Sequence, residues 1–418
     1  MSEAARNATR PLPAHGPGGE SAPSPAATAT PAHTTPRLGV RRPSGGQRSA
    51  AARLSRRVGD LFLSDYFVLY LSLAYVLVLL PFLPTLSNPA NVSNILSNMW
   101  PLLVVAVGQT FVLTIAGIDL SQGSVIGLAS VVGGALLAVG GSGAVLENAP
   151  LWGTVLTEEG GPLAGVPYGV LLGVCAMLVT GLIIGAINGA SVAYLNMPPF
   201  MVTLVGLIGI GALAIWLTQS ENIRPLPDSF VDLGKGDIVS VYLGAQDEPR
   251  IPRRQIYSFV TYPMVIAVLI AIGAHILLSR TVFGRYVTAI GANRRAAEIS
   301  GVPVKRVIVL VFMISAACAA AGSILYSARL EAGRPTLGEG AFLLDVVGAV
   351  VIGGTSLFGG KGKIIWTVWG VLFFVLLSNT LNLMNLSSFH IDMVKGGVIL
   401  AAAMLDVLRT RLLRERAT

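Results

Sequence analysis

The chain has 418 residues, 53% of them hydrophobic and only 12% charged, with a mean hydropathy of +0.71. Soluble domains carry roughly 25% charged residues, and stretches such as 66–83 and 304–327 lack the polar face of a helix in a soluble fold. The composition excludes an ordinary soluble domain and predicts an all-α integral membrane protein. The net charge of +8 is concentrated at the ends and in one internal loop, which sets membrane orientation and gives no expectation of nucleic-acid binding.

Residues 1–57 are rich in Ala, Pro, Ser, Thr and Gly, with scattered arginines (Arg37, Arg41, Arg42, Arg48, Arg53, Arg56, Arg57). Such a segment buries too little apolar surface to offset its ordering entropy and reads as a disordered, basic cytoplasmic tail. No apolar core follows its first residues, so it is not read as a secretory signal. A transmembrane domain follows over 58–410, and 411–418 form a second short cytoplasmic tail. A helix needs about 20 apolar residues to cross the bilayer. About ten stretches approach that length: 66–84, 99–117, 123–140, 167–188, 200–218, 258–279, 304–327, 342–358, 364–383 and 391–408. Loop 140–166 holds Glu147, Glu158 and Glu159 without Lys or Arg, and loop 219–257 mixes both signs. Loop 280–306 is basic. Ten spans place it, the Lys361/Lys363 turn and both termini in the cytoplasm. There is also a hint of an internal pseudo-repeat, because 115–123 and 352–360 both fit I-x-G-x-x-L-x-x-G.

Cys175 and Cys318 lie in apolar runs and read as packing residues. His15, His33, His275 and His390 form no pair at ligand spacing, and no Ser/His/Asp grouping is present. No GxxxxGK[ST] loop occurs; the nearest approach, 359–362, reads as a Gly-rich turn. The chain is therefore expected to be a non-enzyme without a metal or cofactor of its own. Polar residues within spans face cavities or partners. Asp119 either caps the following helix or lines a path. Gln109 and Asn188 suit bonds between helices or a solute route, and Asp345, Asn379 and Asn382 form a second polar set. Phe200, after Pro198 and Pro199, belongs to a rigid turn or a gate. Asp392 and Lys395 can pair along one helical turn. The candidate path residues are thus Gln109, Asp119, Asn188, Phe200, Asp345 and Asn379.

In loop 280–306, Asn293 is placed to cap a short helix that Gly301 and Pro303 end. With its arginines, that helix suits either a cytoplasmic protein partner or lipid phosphates. Phe283, Gly284, Arg285, Ala289, Ile290, Gly291, Asn293, Ala296, Ala297, Ser300 and Gly301 fit F-G-R-x-x-x-A-I-G-x-N-x-x-A-A-x-x-S-G-I. This segment resembles the cytoplasmic coupling loop of the ribose/xylose-type sugar permeases of ABC importers. Segments 117–125 (GIDLSQGSV), 185–204 (GAINGASVAYLNMPPFMVTL) and 350–363 (VVIGGTSLFGGKGK) resemble the same family, and the four together span most of 85–408. Gln122, Lys361, Lys363 and the Arg294–Arg295 pair depart from the family's usual residues.

The resemblance implies a permease in a bacterial cell membrane, passing a monosaccharide such as ribose or xylose. It implies ATP bound by a separate ATP-binding subunit, with Gly284, Arg285, Gly291, Asn293, Ala296, Ala297, Glu298, Ser300 and Gly301 coupling the two. It also implies a second permease copy, and a substrate-binding protein for which loop 219–257 is the natural dock. An ion-coupled secondary transporter is the alternative; it requires acidic sites deep in several spans, where this chain has few.

Overall fold

The computed structural model describes residues 64, 66–140, 143–242 and 256–415. The expected 1–57 tail and the middle of the 219–257 loop lie outside them. Thirteen helices are numbered here. The first, α1 (Phe67–Leu79), leads through a 3-10 turn at Pro84–Ser87 into α2 (Pro89–Thr114), α3 (Gln122–Leu137), α4 (Gly169–Tyr194) and α5 (Pro199–Thr218). A short α6 (Asp228–Lys235) precedes strands β1 (Asp237–Tyr242) and β2 (Ile256–Thr261), then α7 (Tyr262–Arg280). After them come α8 (Val282–Ala292), α9 (Arg294–Ile299), α10 (Val304–Leu330), α11 (Phe342–Gly353), α12 (Ile364–Leu383) and α13 (Ser388–Glu415).

Each of the ten apolar stretches overlaps a helix, although 258–279 opens on the end of β2 and 342–358 runs past Gly353. Six helices (α2, α4, α5, α7, α10, α12) are long and apolar enough to cross a membrane. Three expected spans are shorter: α1 has 13 residues, α3 has 16 and α11 has 12. At 1.5 Å per residue they reach about 18–24 Å, short of about 30 Å of hydrocarbon. Irregular backbone at 115–121 and 336–341 therefore lies at the ends of α3 and α11, a placement tolerated where protein encloses it. The antiparallel β1–β2 pair is an addition to the expected all-α fold and carries part of loop 219–257. The helical backbone of α13 runs to Glu415, past the limit expected at 410.

Burial sorts the helices into a hub and a rim. The most apolar window of α2 is 83% buried, against 17% for α5, so α2 is central and α5 presents its apolar side chains outward. The exposed set includes Val205, Ile208 and Trp216. The hub pair α4–α10 is built on Gly181, Gly185 and Gly189, one face of α4 at four-residue spacing. A Cβ on Gly185 would sit 2.6 Å from the Phe312 carbonyl oxygen, and one on Gly189 would sit 2.7 Å from Val309 Cα. Removing side chains lets two backbones touch and gain dispersion contacts, which is how helices associate where lipid offers no hydrophobic drive. Hydroxyl pairs tie the same hub: Ser130 to Ser327 at 2.7 Å and Thr110 to Thr367 at 2.6 Å.

Candidate functional site

Three sets of polar or close-packed residues stand out, and the expected site residues divide among them. The first is a buried network at the start of α3. Asp119 is 1% exposed. Its Oδ1 accepts from the Ser121 backbone N–H (3.0 Å) and hydroxyl (2.6 Å), and its Oδ2 accepts from the Ser315 hydroxyl (2.6 Å) on α10. Each hydroxyl has one proton and gives it to the carboxylate, because an amide already donates to its oxygen: Asn188 Nδ2 to Ser121 (2.9 Å) and Gln122 Nε2 to Ser315 (3.0 Å). The carboxylate also sits at the positive end of α3. These bonds tie the turn before α3 to α10, and α3 itself has no side-chain cap. Gln109 is fully buried, and neither of its amide atoms has a partner among the described residues.

The second set lies at the C-terminal end of α2, around the basic segment. The expected short helix is present: Asn293 Oδ1 accepts from the Ala296 N–H at 3.0 Å, and Gly301 (φ +82°) ends it. The segment before it is itself helical, as α8, with Gly284, Val287 and Ile290 turned inward. In α9 only Ala297 is buried; Arg294, Arg295, Ala296, Glu298 and Ile299 are exposed, as are Asn293 before it, Ser300 and Gly301 after it and Arg285 on α8. Ile299 is 81% exposed, an apolar knob beside two arginines that pattern reading did not single out.

Beneath these helices, three of the quoted sequence segments meet backbone to backbone. The Gly360 N–H donates to the Thr114 carbonyl at 2.9 Å. Gly291 packs so closely on that carbonyl that a Cβ would collide with its oxygen. Gly359 (φ +80°) would place a Cβ 2.8 Å from both the Ala116 nitrogen and the Gly291 carbonyl oxygen. The two stretches that suggested a pseudo-repeat are therefore packed together, although 115–123 has one left-handed residue, Ala116, and 352–360 has three, Gly354, Gly359 and Gly360, none in register with it. The Phe111 and Phe283 rings, 6.4 Å apart, add a tie between α2 and α8.

The third set is a cleft of about 280 Å³ at the N-terminal end of α2. It brings Asp345 and Asn379 together, with Asn94, Asn98, Ser378 and Asn382. Lys395 reaches across from α13 to Asp345 Oδ2 at 2.8 Å instead of pairing along its own helix with Asp392. Asn379 and Asn91 exchange two amide bonds, at 2.8 and 3.0 Å. Pro101 lacks the N–H that would serve the Ser97 carbonyl. Arg329 of α10 supplies it: Nη1 donates to Ser97 O at 2.8 Å and to Asn98 Oδ1 at 3.0 Å. Asn94, Asn98, Arg329 and Tyr326 were not singled out in the sequence. The i, i+4 spacing of Asn94 and Asn98 was the available signal. Phe200, half exposed at the start of α5, belongs to none of the three sets.

No group of three His, Cys, Asp or Glu side chains capable of holding a metal occurs among the described residues. The hub thus carries an exposed short helix on a close backbone contact at one end, and a polar cleft at the other.

Residues 91–403 match the family described as branched-chain amino acid transport system / permease component. The chain is similar to the xylose transport system permease protein of Haemophilus influenzae, at 30% identity over 81% of this chain and 95% of that protein. It is similar to the xylose transport system permease protein of Escherichia coli K12, at 30% over 76% of this chain and 84% of that protein. It is also similar to the ribose import permease protein of Escherichia coli K12, at 32% over 80% and 92%. No solved structure matches. Matched across about three quarters of its length, this membrane protein belongs to the branched-chain amino acid transport system / permease component family.

Proposed function

We propose that this chain is the membrane-spanning subunit of an ATP-driven importer of a monosaccharide, with ribose and xylose as the first candidates. The observation that carries this reading is the joint under α8 and α9. A transporter driven by an ion gradient has no use for an exposed cytoplasmic helix seated on the ends of the hub helices. A transporter whose motor is a separate ATP-hydrolysing protein requires one. The similarity to ribose and xylose permeases supports the sugar substrate.

In this reading ten helices cross or enter the bilayer, with both termini and 280–306 in a bacterial cytoplasm. The permease domain runs over 58–410. Gly284, Gly291 and Ala297 seat the coupling helices. Arg285, Arg294, Arg295, Glu298 and Ile299 meet the ATPase subunit, while Asn293, Ala296, Ser300 and Gly301 shape α9. ATP is bound by that partner and no cofactor by this chain. The surface of α6 and the β1–β2 pair, where Ile238 and Val239 are about half exposed, receives the substrate-binding protein. A second permease copy completes the unit.

Reconstitution tests this. Uptake of ribose or xylose into proteoliposomes should require the ATPase subunit, the binding protein and ATP. Uptake by this chain alone under an ion gradient would refute it.

A further inference from the structure

The cleft at the N-terminal end of α2 has no role in docking a motor, and its chemistry is specific. Four carboxamides (Asn94, Asn98, Asn379, Asn382) and Ser378 line it; Asn379 is engaged with Asn91 and Asn98 with Asn94 and Arg329, while the exposed Asn94 and Asn382 keep capacity to donate and to accept. Its two charges, Asp345 and Lys395, neutralise each other across 2.8 Å, so the cleft offers neither an anion nor a cation a net partner. The buried Asp345 Oδ1 has no hydrogen-bond partner among the described residues. One wall is aromatic: the Tyr326 and Phe342 rings meet edge to face, centroids 5.6 Å apart at 82°. Fixed dipoles that both give and take protons, no net charge and an aromatic plane together fit a neutral polyol. Hydroxyl groups both donate and accept, and the C–H face of a sugar ring rests on an aromatic side chain.

The cleft, about 280 Å³ and partly open, has room for a single pentose or hexose. The contrast with the neighbouring groove between α5 and the α11 start is instructive. That groove is larger, about 480 Å³, but its lining is chiefly Leu207, Ile208, Ala212, Ile215 and Leu343, with no carboxamide.

We infer that the cleft is a monosaccharide subsite within a single permease subunit, on the outward side in the orientation proposed above. It rests on the sugar-importer reading and deepens it. Asn94 and Asn382 exchange hydrogen bonds with sugar hydroxyls, Asn98 is held beside them by Arg329, and Tyr326–Phe342 takes the ring face.

The test reads binding apart from transport. Saturation-transfer NMR with xylose and with ribose is recorded on the purified full chain, alongside uptake by the complete complex. Wild type should give sugar signals. Ser378→Trp, which fills the cleft, should abolish them and slow uptake, while Leu207→Trp in the apolar groove leaves the signals intact. Asn382→Leu changes an exposed position of similar volume, guards against misfolding of the tryptophan variant, and should weaken binding about fivefold for one lost hydrogen bond. Sugar signals that survive in both cleft variants, or are missing in wild type, overturn the subsite, even if the complex imports sugar normally. Failure of the wild-type complex to import any sugar overturns the importer reading instead, and the cleft is then judged on binding alone.

Discussion

Gly291→Ala perturbs the joint with a single methyl group. The methyl would be driven into the Thr114 carbonyl oxygen and toward the Gly360 N–H, the two groups that bond to each other at 2.9 Å. Both neighbours are backbone, so no flexible side chain can give way. Overpacking costs about 1–3 kcal/mol and loss of the hydrogen bond about 1 kcal/mol, together about 2–4 kcal/mol. At about 1.4 kcal/mol per tenfold, the joint would open some 30- to 1,000-fold more often. The hub contacts of α4 with α10 lie elsewhere, so insertion in the membrane should persist. The assay is sugar moved per ATP hydrolysed by the full complex in proteoliposomes: hydrolysis should continue while the ratio falls. Ile299→Ala is the companion. At 81% exposure it should leave thermal stability unchanged yet weaken co-purification of the ATPase subunit. A wild-type transport ratio in Gly291→Ala would refute the idea that the three segments act as a rigid seat.

Ser315→Ala removes the donor to Asp119 Oδ2 and the acceptor for Gln122 Nε2. Two buried groups left short should cost about 2–4 kcal/mol, read as a lower unfolding midpoint in detergent; an unchanged midpoint means the network does not bind α3 to α10. Arg329→Ala strands the Ser97 carbonyl that Pro101 already leaves without its helical partner, at about 1–3 kcal/mol. It should also raise the sugar KM by freeing Asn98, and a KM equal to wild type removes Arg329 from the cleft. Glu331, just beyond α10, is held below its ordinary value of 4.5 by its hydrogen bond and attraction to Lys235. Its contribution is therefore complete above that value and fades as pH falls through the lower folded one. The stability difference between wild type and Glu331→Gln should be small, as for exposed pairs, present at neutral pH and absent in acid. A difference that grows on acidification contradicts this.

The membrane helices were legible because the bilayer imposes one rule on every spanning residue, and apolar length reports it directly. Their junctions were less so. Asn88, Pro89 and the asparagines after them read as a loop, yet Asn88 Oδ1 accepts the Ala90 N–H at 3.0 Å and Pro89 takes the first helical position, where its missing N–H costs nothing. Starting that span at 99 hid Asn94 and Asn98, and with them half of the cleft. Lys395 was assigned by local arithmetic to Asp392, but Asp345 on α11 lies within 2.8 Å. Only tertiary packing could reveal that. Asn293 and Gly301 were readable because caps and left-handed stops are local physics. That Gly291 touches Thr114 and Gly360 was not, since no sequence separation encodes a contact among three distant turns.

The joint and the cleft share the same rods. Thr114 ends α2 at the joint, while Asn98 stands sixteen residues earlier in the cleft, about 24 Å along the axis. In α12, Ile364 begins beside the Gly360 turn and Ser378 to Asn382 line the cleft. α10 and α11 make the same passage, from Val304 to Tyr326 and from Gly353 to Asp345. The Thr110–Thr367 hydroxyl pair locks α2 to α12 near the joint, and the Asn91–Asn379 amide pair does so beside the cleft. Two packed helices tied at both ends move together or not at all. Under the proposed function, a motor that tilts α8 and α9 would act on the joint ends of α2 and α12, and their cleft ends would respond as a unit. The place where that unit can yield is Pro101, between the two ties, where one helical hydrogen bond is already replaced by Arg329. This makes Arg329 the point at which strain from the joint would reach the carboxamides.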